Sequence, residues 1–254
     1  MDAGSKRREE AAALKARAAA ADSRDKRIKI IGGVVVGLVV VGIIAAGVIG
    51  ANSAKPNANP GNAIPTGVLK DTYGWPAEPV VDGKSTLTIY EDPQCPYCQA
   101  FETTFGEEIS KLAKAGTINV VYQMAAFLDR NFPNSKQSSR RAINALGCAI
   151  DQNAGLAYHG LIYASQPADE GTGWTDDQLL KLGELAAMKG DALTKFTDCA
   201  KAGTYLGWAD NATKYFDDEQ IPGTPYIALD GKQVPDAVLA STQSLLDYIA
   251  KNKK

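Results

Sequence analysis

Two cysteines separated by two residues, Cys95-Pro96-Tyr97-Cys98, are the part of this sequence best equipped for chemistry. Such a pair can be half of a zinc site, an inert structural bridge, or a dithiol that cycles between thiol and disulfide. A zinc site needs a second pair or histidines at suitable spacing. Cys148 and Cys199 lie far apart, and His159 is the chain's one histidine, so no metal is expected. The dithiol reading gains from its neighbours. Residues Ser85 to Tyr90 alternate and are β-branched, as in a half-buried strand, and run directly into Glu91-Asp92-Pro93-Gln94-Cys95. After the motif, Phe101, Phe105, Ile109 and Leu112 recur at helical spacing, and Gly116 ends the run. Cys95 is therefore expected at or near a helix N-cap. Pro96 falls at the first helical position, where a missing N–H costs nothing. Unpaired N–H groups and the positive end of the helix dipole favour a thiolate there. Cys98, one turn further in, is the expected resolving thiol. A stabilised thiolate favours the reduced form, which makes the disulfide a better oxidant. Tyr97 lacks the cationic or donor character of a histidine, which predicts an oxidant of intermediate strength.

The elements around the motif read as an α/β layer. Residues Thr117 to Tyr122 form a second strand that flows into Gln123–Phe127. From 135 to 218 strand character disappears. Helices are expected over 139–151, 155–165, 176–189, 191–202 and about 204–217. Thr175 with Gln178 three residues on supplies a helix-start signature. Strands return at Tyr226–Leu229 and Lys232–Val234 around an Asp230-Gly231 turn. A last helix runs from Ser241 through Leu245, Leu246 and Ile249. The order is βαβ, a helical block, a β-hairpin and a final helix.

The rest of the chain bounds location. Of the 254 residues, 1–51 carry nine Lys/Arg and five Asp/Glu (+4), and 52–254 carry eighteen and twenty-four (−6). An acidic main body argues against a nucleic-acid partner, which needs a basic footprint. Ile30 to Ala51 are 22 consecutive uncharged residues, long enough for a transmembrane helix of ~20 residues and longer than the ~7–15 of a cleaved signal peptide. Small residues near Ala51–Ala54 leave cleavage as the alternative. Arg24, Lys26, Arg27 and Lys29 precede the span and only Lys55 follows closely. The N-terminus is therefore expected in the cytoplasm and the rest outside the cell membrane. The expected divisions are a cytoplasmic tail (1–29), a single-pass anchor (30–51), an Asn/Pro-rich flexible linker (52–66), and one globular domain (67–254) with its helical insertion at about 133–218.

Glu91-Asp-Pro-Gln-Cys-Pro-Tyr-Cys98 after a strand, with Gly223-Thr224-Pro225 before the late hairpin, resembles the thioredoxin superfamily. The helical block, including Tyr158-His159-Gly160 through Gln166-Pro167, is similar to the DsbA-like branch, in particular its membrane-anchored actinobacterial members. The resemblance covers about 67–250. It implies a thioredoxin-like fold with a helical insertion, no cofactor, and a thiol–disulfide oxidoreductase that introduces disulfides into secreted or membrane proteins bearing reduced cysteines. It also implies a quinone-linked membrane reoxidase, such as a vitamin K epoxide reductase homologue, as partner. It further implies a cis Pro225 that brings Thr224 beside Cys95 and exposes backbone to an extended substrate, with Tyr97 beside the same surface. The same site run in reverse would serve an isomerase or thiol reductase. A non-redox peptide-binding or chaperone module is the reading of a different class.

One departure from the family concerns its buried acid, six residues before the first cysteine. Here Ile89 holds that position. Glu91 and Asp92 lie closer, and either could move the Cys98 proton; otherwise they are solvated loop carboxylates. Cys148 and Cys199 are expected to pair as a structural disulfide, since an even cysteine count outside the cytoplasm favours pairing and the resembling proteins carry a comparable bridge. His159 reads as a partly buried structural residue, with a place on the active-site face of the insertion as alternative, Trp174 and Trp208 as packing residues, and Phe127 and Phe132 as core with a groove rim as alternative.

Overall fold

The computed structural model describes residues 63–254. The expected cytoplasmic tail, the apolar span and most of the linker lie outside the described residues. Among the described residues, no helix is long and apolar enough to cross a membrane.

A five-stranded sheet forms the scaffold, in the order β1-β3-β2-β4-β5. Its strands are β1 (Trp75–Pro76), β2 (Thr86–Glu91), β3 (Asn119–Met124), β4 (Tyr226–Leu229) and β5 (Lys232–Gln233). β2 runs parallel to β3 and antiparallel to β4. The β2–β3 crossover is helix α1 (Pro96–Lys114), which completes a βαβ unit. Side chains on a strand alternate between faces, so Leu87, Ile89 and Glu91 share the buried face of β2. Glu91, the last of the three, pairs with Met124 at the end of the register. Along α1 the buried stripe is Cys98, Phe101, Phe105, Ile109 and Ala113, while Lys111 and Lys114 sit in the last turn, where cations suit the helix dipole. Cys98 therefore belongs to the stripe that packs the helix on the sheet.

Between β3 and β4 lie α2 (Ser138–Ile150), α3 (Gly155–Ala164), α4 (Asp176–Leu185), α5 (Gly190–Ala202) and α6 (Leu206–Asp218); α7 (Thr242–Asn252) closes the chain. α2 is the hub, buried over nearly its whole length, and touches α3, α4, α5 and α6. α3 also packs on α1, and that contact carries His159 toward the dithiol. Trp174 and Trp208 are buried packing residues whose indole N–H groups reach backbone carbonyls of Ser165 and Tyr73.

Two expectations need correction, and one strand had no signal in the sequence. The helix expected over 176–189 stops at Leu185. Ala187 adopts a left-handed φ of 64°, and the Met188 N–H returns to the Gly183 carbonyl at 3.3 Å. That is a Schellman-type stop without the glycine that would have advertised it. The edge strand β1 carried no visible pattern, because it is two residues long and one is proline, tolerated only at edges. The linker's expected end at 66 is too late. Pro65 is buried and Ile64 packs on the core, and the Thr66 N–H is held by Asp151 at 2.9 Å.

Cys148 on α2 and Cys199 on α5 form a disulfide spanning 51 residues of sequence. In the chain-entropy account a closed loop of that length stabilises by roughly 4 kcal/mol. The C148S/C199S double variant is expected to lose up to that amount, measured as a lower urea midpoint with a larger m-value, because the unbridged unfolded chain is less compact. An unchanged midpoint would show the bridge to be energetically idle.

Candidate active site

The sequence of the β2–α1 junction dictates its geometry. Cys95 is the N-cap of α1, in extended conformation, with Pro96 at the first helical position. Its side chain makes no capping bond to the helix. The Cys95 thiol instead contacts the Thr224 carbonyl at 3.3 Å. The Thr224–Pro225 peptide is cis, and it sits just before β4, antiparallel to the strand that delivers Cys95. Both cysteines are free and buried. Pro96 is exposed and Tyr97 is 74% exposed, the most exposed large apolar side chain of the described residues. Leu128 and Tyr163 close around the two sulfurs, with Phe127 and Phe132 packed at the margin.

The two sulfurs are electrostatically unlike. The Cys95 thiol is pulled down from the ordinary 9.0 to about 6, first by the hydrogen bond it receives from the Cys98 thiol, then by Thr224 and the N–H groups of Cys98 and Tyr97, against the cost of burial. The helix start contributes as expected, yet the largest share comes from the second cysteine itself. Cys98 is pushed well above 9.0, by burial first and then by donating to Cys95 and facing Glu91. The hydroxyl of Thr224 is buried without a hydrogen-bond partner among the described residues and adds to the stabilisation of charge at both sulfurs. Cys95 is thus built as an exchangeable thiolate and Cys98 as a retained thiol. Cys95 alkylation should titrate near pH 6, and C98A, which removes the largest stabilising donor, should move that midpoint upward toward 9. A midpoint unmoved by C98A would assign the thiolate to the helix start alone.

Neither Glu91 nor Asp92 is a solvated loop carboxylate; both are fully buried. They serve different ends. Asp92 spends both oxygens on the scaffold: Oδ1 accepts from the Gln94 N–H at 2.9 Å and from the Ser139 hydroxyl, and Oδ2 accepts from the Leu128 N–H at 2.9 Å. It ties the motif loop to the turn at Phe127–Arg130 and to α2. Burial still lifts its carboxyl to about 7. Glu91 faces the sulfurs. Burial, then the Cys95 charge, holds its carboxyl well above the usual range, and its own charge raises Cys98.

Three partners of this site, Glu102, Gln166 and Tyr163, are not singled out by the sequence, which does single out His159 but as a partly buried structural residue. His159 is fully buried, not partly, and its Nε2 lies 2.9 Å from Glu91 Oε2. Glu102 lies 3.8 Å from the other ring nitrogen. Gln166 donates to the carbonyls of Pro93 and Cys95 at 2.7 and 3.0 Å and clamps the motif loop. A signal existed for two of them: Glu102 follows Cys98 by four residues on α1, and Tyr163 follows His159 by four on α3, the spacing of same-face neighbours.

Glu91, Glu102 and His159 approach within 4.8 Å of one another, close enough for a cation to be considered. The imidazole turns a different nitrogen to each carboxylate. A single cation could take only one of those nitrogens and would break the other contact, so no metal is assigned.

A thioredoxin-like sheet interrupted by a helical block, with an asymmetric dithiol at the first helix N-terminus beside a cis proline, defines a thiol–disulfide exchange site. A sequence model of the thioredoxin family matches residues 81–248, and the chain belongs to that family. Within it the chain is similar to DsbA-like thiol–disulfide oxidoreductases. It is similar to the DsbA of Mycobacterium tuberculosis, 25% identical with a TM-score of 0.57 over 69% of this chain and 88% of that one. The fold also matches MdbA, a thiol-disulfide oxidoreductase of Actinomyces oris, at TM-score 0.63 and 22% identity, over 80% of this chain and 97% of that one. Among curated proteins, serine/threonine-protein kinase PknE of Mycobacterium tuberculosis is 28% identical over 156 residues, 59% of this chain. The chain spans 27% of that relative's length.

Proposed function

We propose that the protein is a membrane-anchored, extracytoplasmic oxidase that introduces disulfides into secreted or membrane proteins bearing reduced cysteines. The observation that carries this reading is the asymmetry of the two sulfurs: a stabilised Cys95 thiolate makes the reduced form the favoured product, so the Cys95–Cys98 disulfide accepts electrons readily. The uncharged run 30–51 and the basic residues before it support an anchor with the catalytic domain outside.

In the forward reaction a client thiolate attacks Cys95 Sγ. The Cys95–Cys98 bond breaks, and its electron pair leaves on Cys98 Sγ, which takes up a proton from Glu91. A second client thiolate then attacks the client sulfur of the mixed disulfide. The client leaves with a disulfide, and Cys95 leaves as thiolate. The protein has gained two electrons, which pass to a quinone-linked membrane reoxidase such as a vitamin K epoxide reductase homologue. The Thr224–Pro225 backbone offers main-chain pairing to an extended client segment. Exposed Tyr97 adds an apolar contact that does not depend on client sequence.

The test is to mix the oxidised full-length protein with a reduced client holding several cysteines and to count free thiols over time. Two client thiols lost per protein disulfide, abolished by C95S, is the expected result. Reshuffling of scrambled bridges without net thiol loss would instead make it an isomerase, and effects that survive C95S would make it a non-redox binder.

A further inference from the structure

Glu91 lies in a buried network larger than a single carboxyl needs. Its Oε2 meets His159 Nε2 at 2.9 Å, and on the far side of the ring Nδ1 faces Glu102 Oε2 at 3.8 Å. Side-chain exposure rises along this line, from 0% at Glu91 through 2% at His159 to 8% at Glu102. Glu91 Oε1, Glu102 Oε1 and the Tyr163 hydroxyl are buried without a partner at full hydrogen-bond geometry among the described residues, yet Tyr163 and Glu102 stand close enough to Glu91 to favour its charge, and the Tyr163 ring packs on the sulfurs. Imperfectly paired buried polar atoms are costly, and these belong to side chains that surround Glu91. At the outer end, a Cβ added at Gly106 would stand 2.5 Å from Glu102 Oε2. The carboxylate therefore occupies space that only glycine leaves open on the next turn of α1.

We propose that His159 and Glu102 extend Glu91 into a proton path that delivers the Cys98 proton from solvent and returns it. This inference rests on the dithiol reading given above. When the Cys95–Cys98 bond opens, Cys98 Sγ receives the proton of Glu91. Glu91 recovers one from His159 Nε2 as the Glu102 side chain closes its 3.8 Å gap and gives one to Nδ1, and Glu102 reloads from water. During reoxidation each transfer runs in reverse and one proton reaches solvent. His159 suits the middle position because its two nitrogens face different carboxylates. His159 and Glu102 act through Glu91 and are positioning residues.

The groups that face this path are Cys95, Cys98 and Glu102 from the motif helix, Tyr122 from β3, and His159 and Tyr163 from α3. None is a lysine or arginine, so protons alone balance the charge when the thiols titrate. Burial, with Glu91 beside it, lifts Glu102 to about 8, and burial lowers His159. Both shifts keep the resting path neutral and loaded.

The test separates two steps on the reduced full-length chain mixed with excess oxidised glutathione. Attack by Cys95 forms a mixed disulfide, and attack by Cys98 then releases glutathione, which requires its proton to leave. Rapid quenching from pH 5 to 8 follows both. Proton relays commonly contribute ~10²–10⁴-fold, and a side branch that still leaves Glu91 in place should cost at least about fivefold in glutathione release at pH 7. E102Q and G106A are each expected to show that loss and a shifted pH midpoint of release, with the Cys95 step changed less than about twofold. G106A keeps every ionisable group and only displaces the Glu102 carboxylate. Release at wild-type rate and midpoint in both variants would overturn the path, as would equal slowing of both steps. A wild-type Cys95 that fails to attack glutathione at all would overturn the dithiol reading instead.

Discussion

With serine in place of Cys98, the protein is expected to accumulate on its clients as stable mixed disulfides. The physical reason is a contrast of concentrations. Cys98 lies one helical turn from Cys95 and donates to it, so its attack on a bond at Cys95 is intramolecular. Well-oriented intramolecular reactions have effective molarities of ~10⁵–10⁸ M, against roughly millimolar thiol in solution. No external thiol replaces such a neighbour at a comparable rate. Serine is the informative choice because its hydroxyl still donates a hydrogen bond toward Cys95, so the thiolate remains partly stabilised while the second nucleophile is gone. C98S should therefore attack client disulfides and stop there. Non-reducing gels should show adducts that vanish with dithiothreitol and are absent in C95S/C98S. Turnover in the client-oxidation assay should fall to background, because no Cys95–Cys98 disulfide can form. Adduct-free C98S with normal turnover would remove Cys98 from the chemistry.

How far the sequence led depends on how local each feature is. The dithiol, its strand and its helix are contiguous, and the period-two and helical patterns around Cys95–Cys98 suffice to place the motif at a junction. Thr224-Pro225 lies 129 residues from Cys95 and was reached by resemblance, not by any local pattern. Glu91 was nearer to view than its loop-like neighbours suggested: Leu87, Ile89 and Glu91 alternate on one face, so the strand's own period buries it. The pairing of Glu91 with His159 spans 68 residues and depends on the packing of α3 against α1. No spacing rule connects two polar residues across that distance. Asp92 shows the converse. Adjacent to Glu91 in the chain, it points to the other face, where the turn after β3 and α2 supply its donors. Neighbouring carboxylates thus divided into a chemical one and a scaffolding one by strand alternation.

The stability of the reduced protein over that of its disulfide form is expected to grow as pH rises from about 6 and to be greatest near 9. Cys95 titrates at about 6 in the folded reduced protein, against 9.0 for an ordinary thiol. Between those values the unfolded chain binds a proton that the folded one has released, so folding stability climbs with pH by at most about 1.4 kcal/mol per unit. Partial solvent screening at the helix mouth reduces that figure. This contribution is fully present above about 9 and is lost as pH falls through 6. Above 9 the sign reverses, because Cys98 holds its proton in the folded state while the unfolded thiol releases it. The disulfide form has neither titration. Glu102 and Asp92 are raised first by burial, a cause that does not involve the sulfurs and so largely cancels in the difference, whereas the part of the Glu91 shift caused by the Cys95 charge belongs to the reduced form and opposes the trend. Urea titrations of both redox forms at pH 5.5, 7 and 8.5 should show the gap widening with pH. By linkage, the same gap measures oxidising power, since ~30 mV corresponds to about 1.4 kcal/mol for the two-electron couple. A gap that is flat or narrows across that range would mean that the Cys95 thiolate gains nothing from the fold, and with it the oxidase assignment would lose its driving force. A potential close to the ~−270 mV of thioredoxin would be the matching electrochemical result.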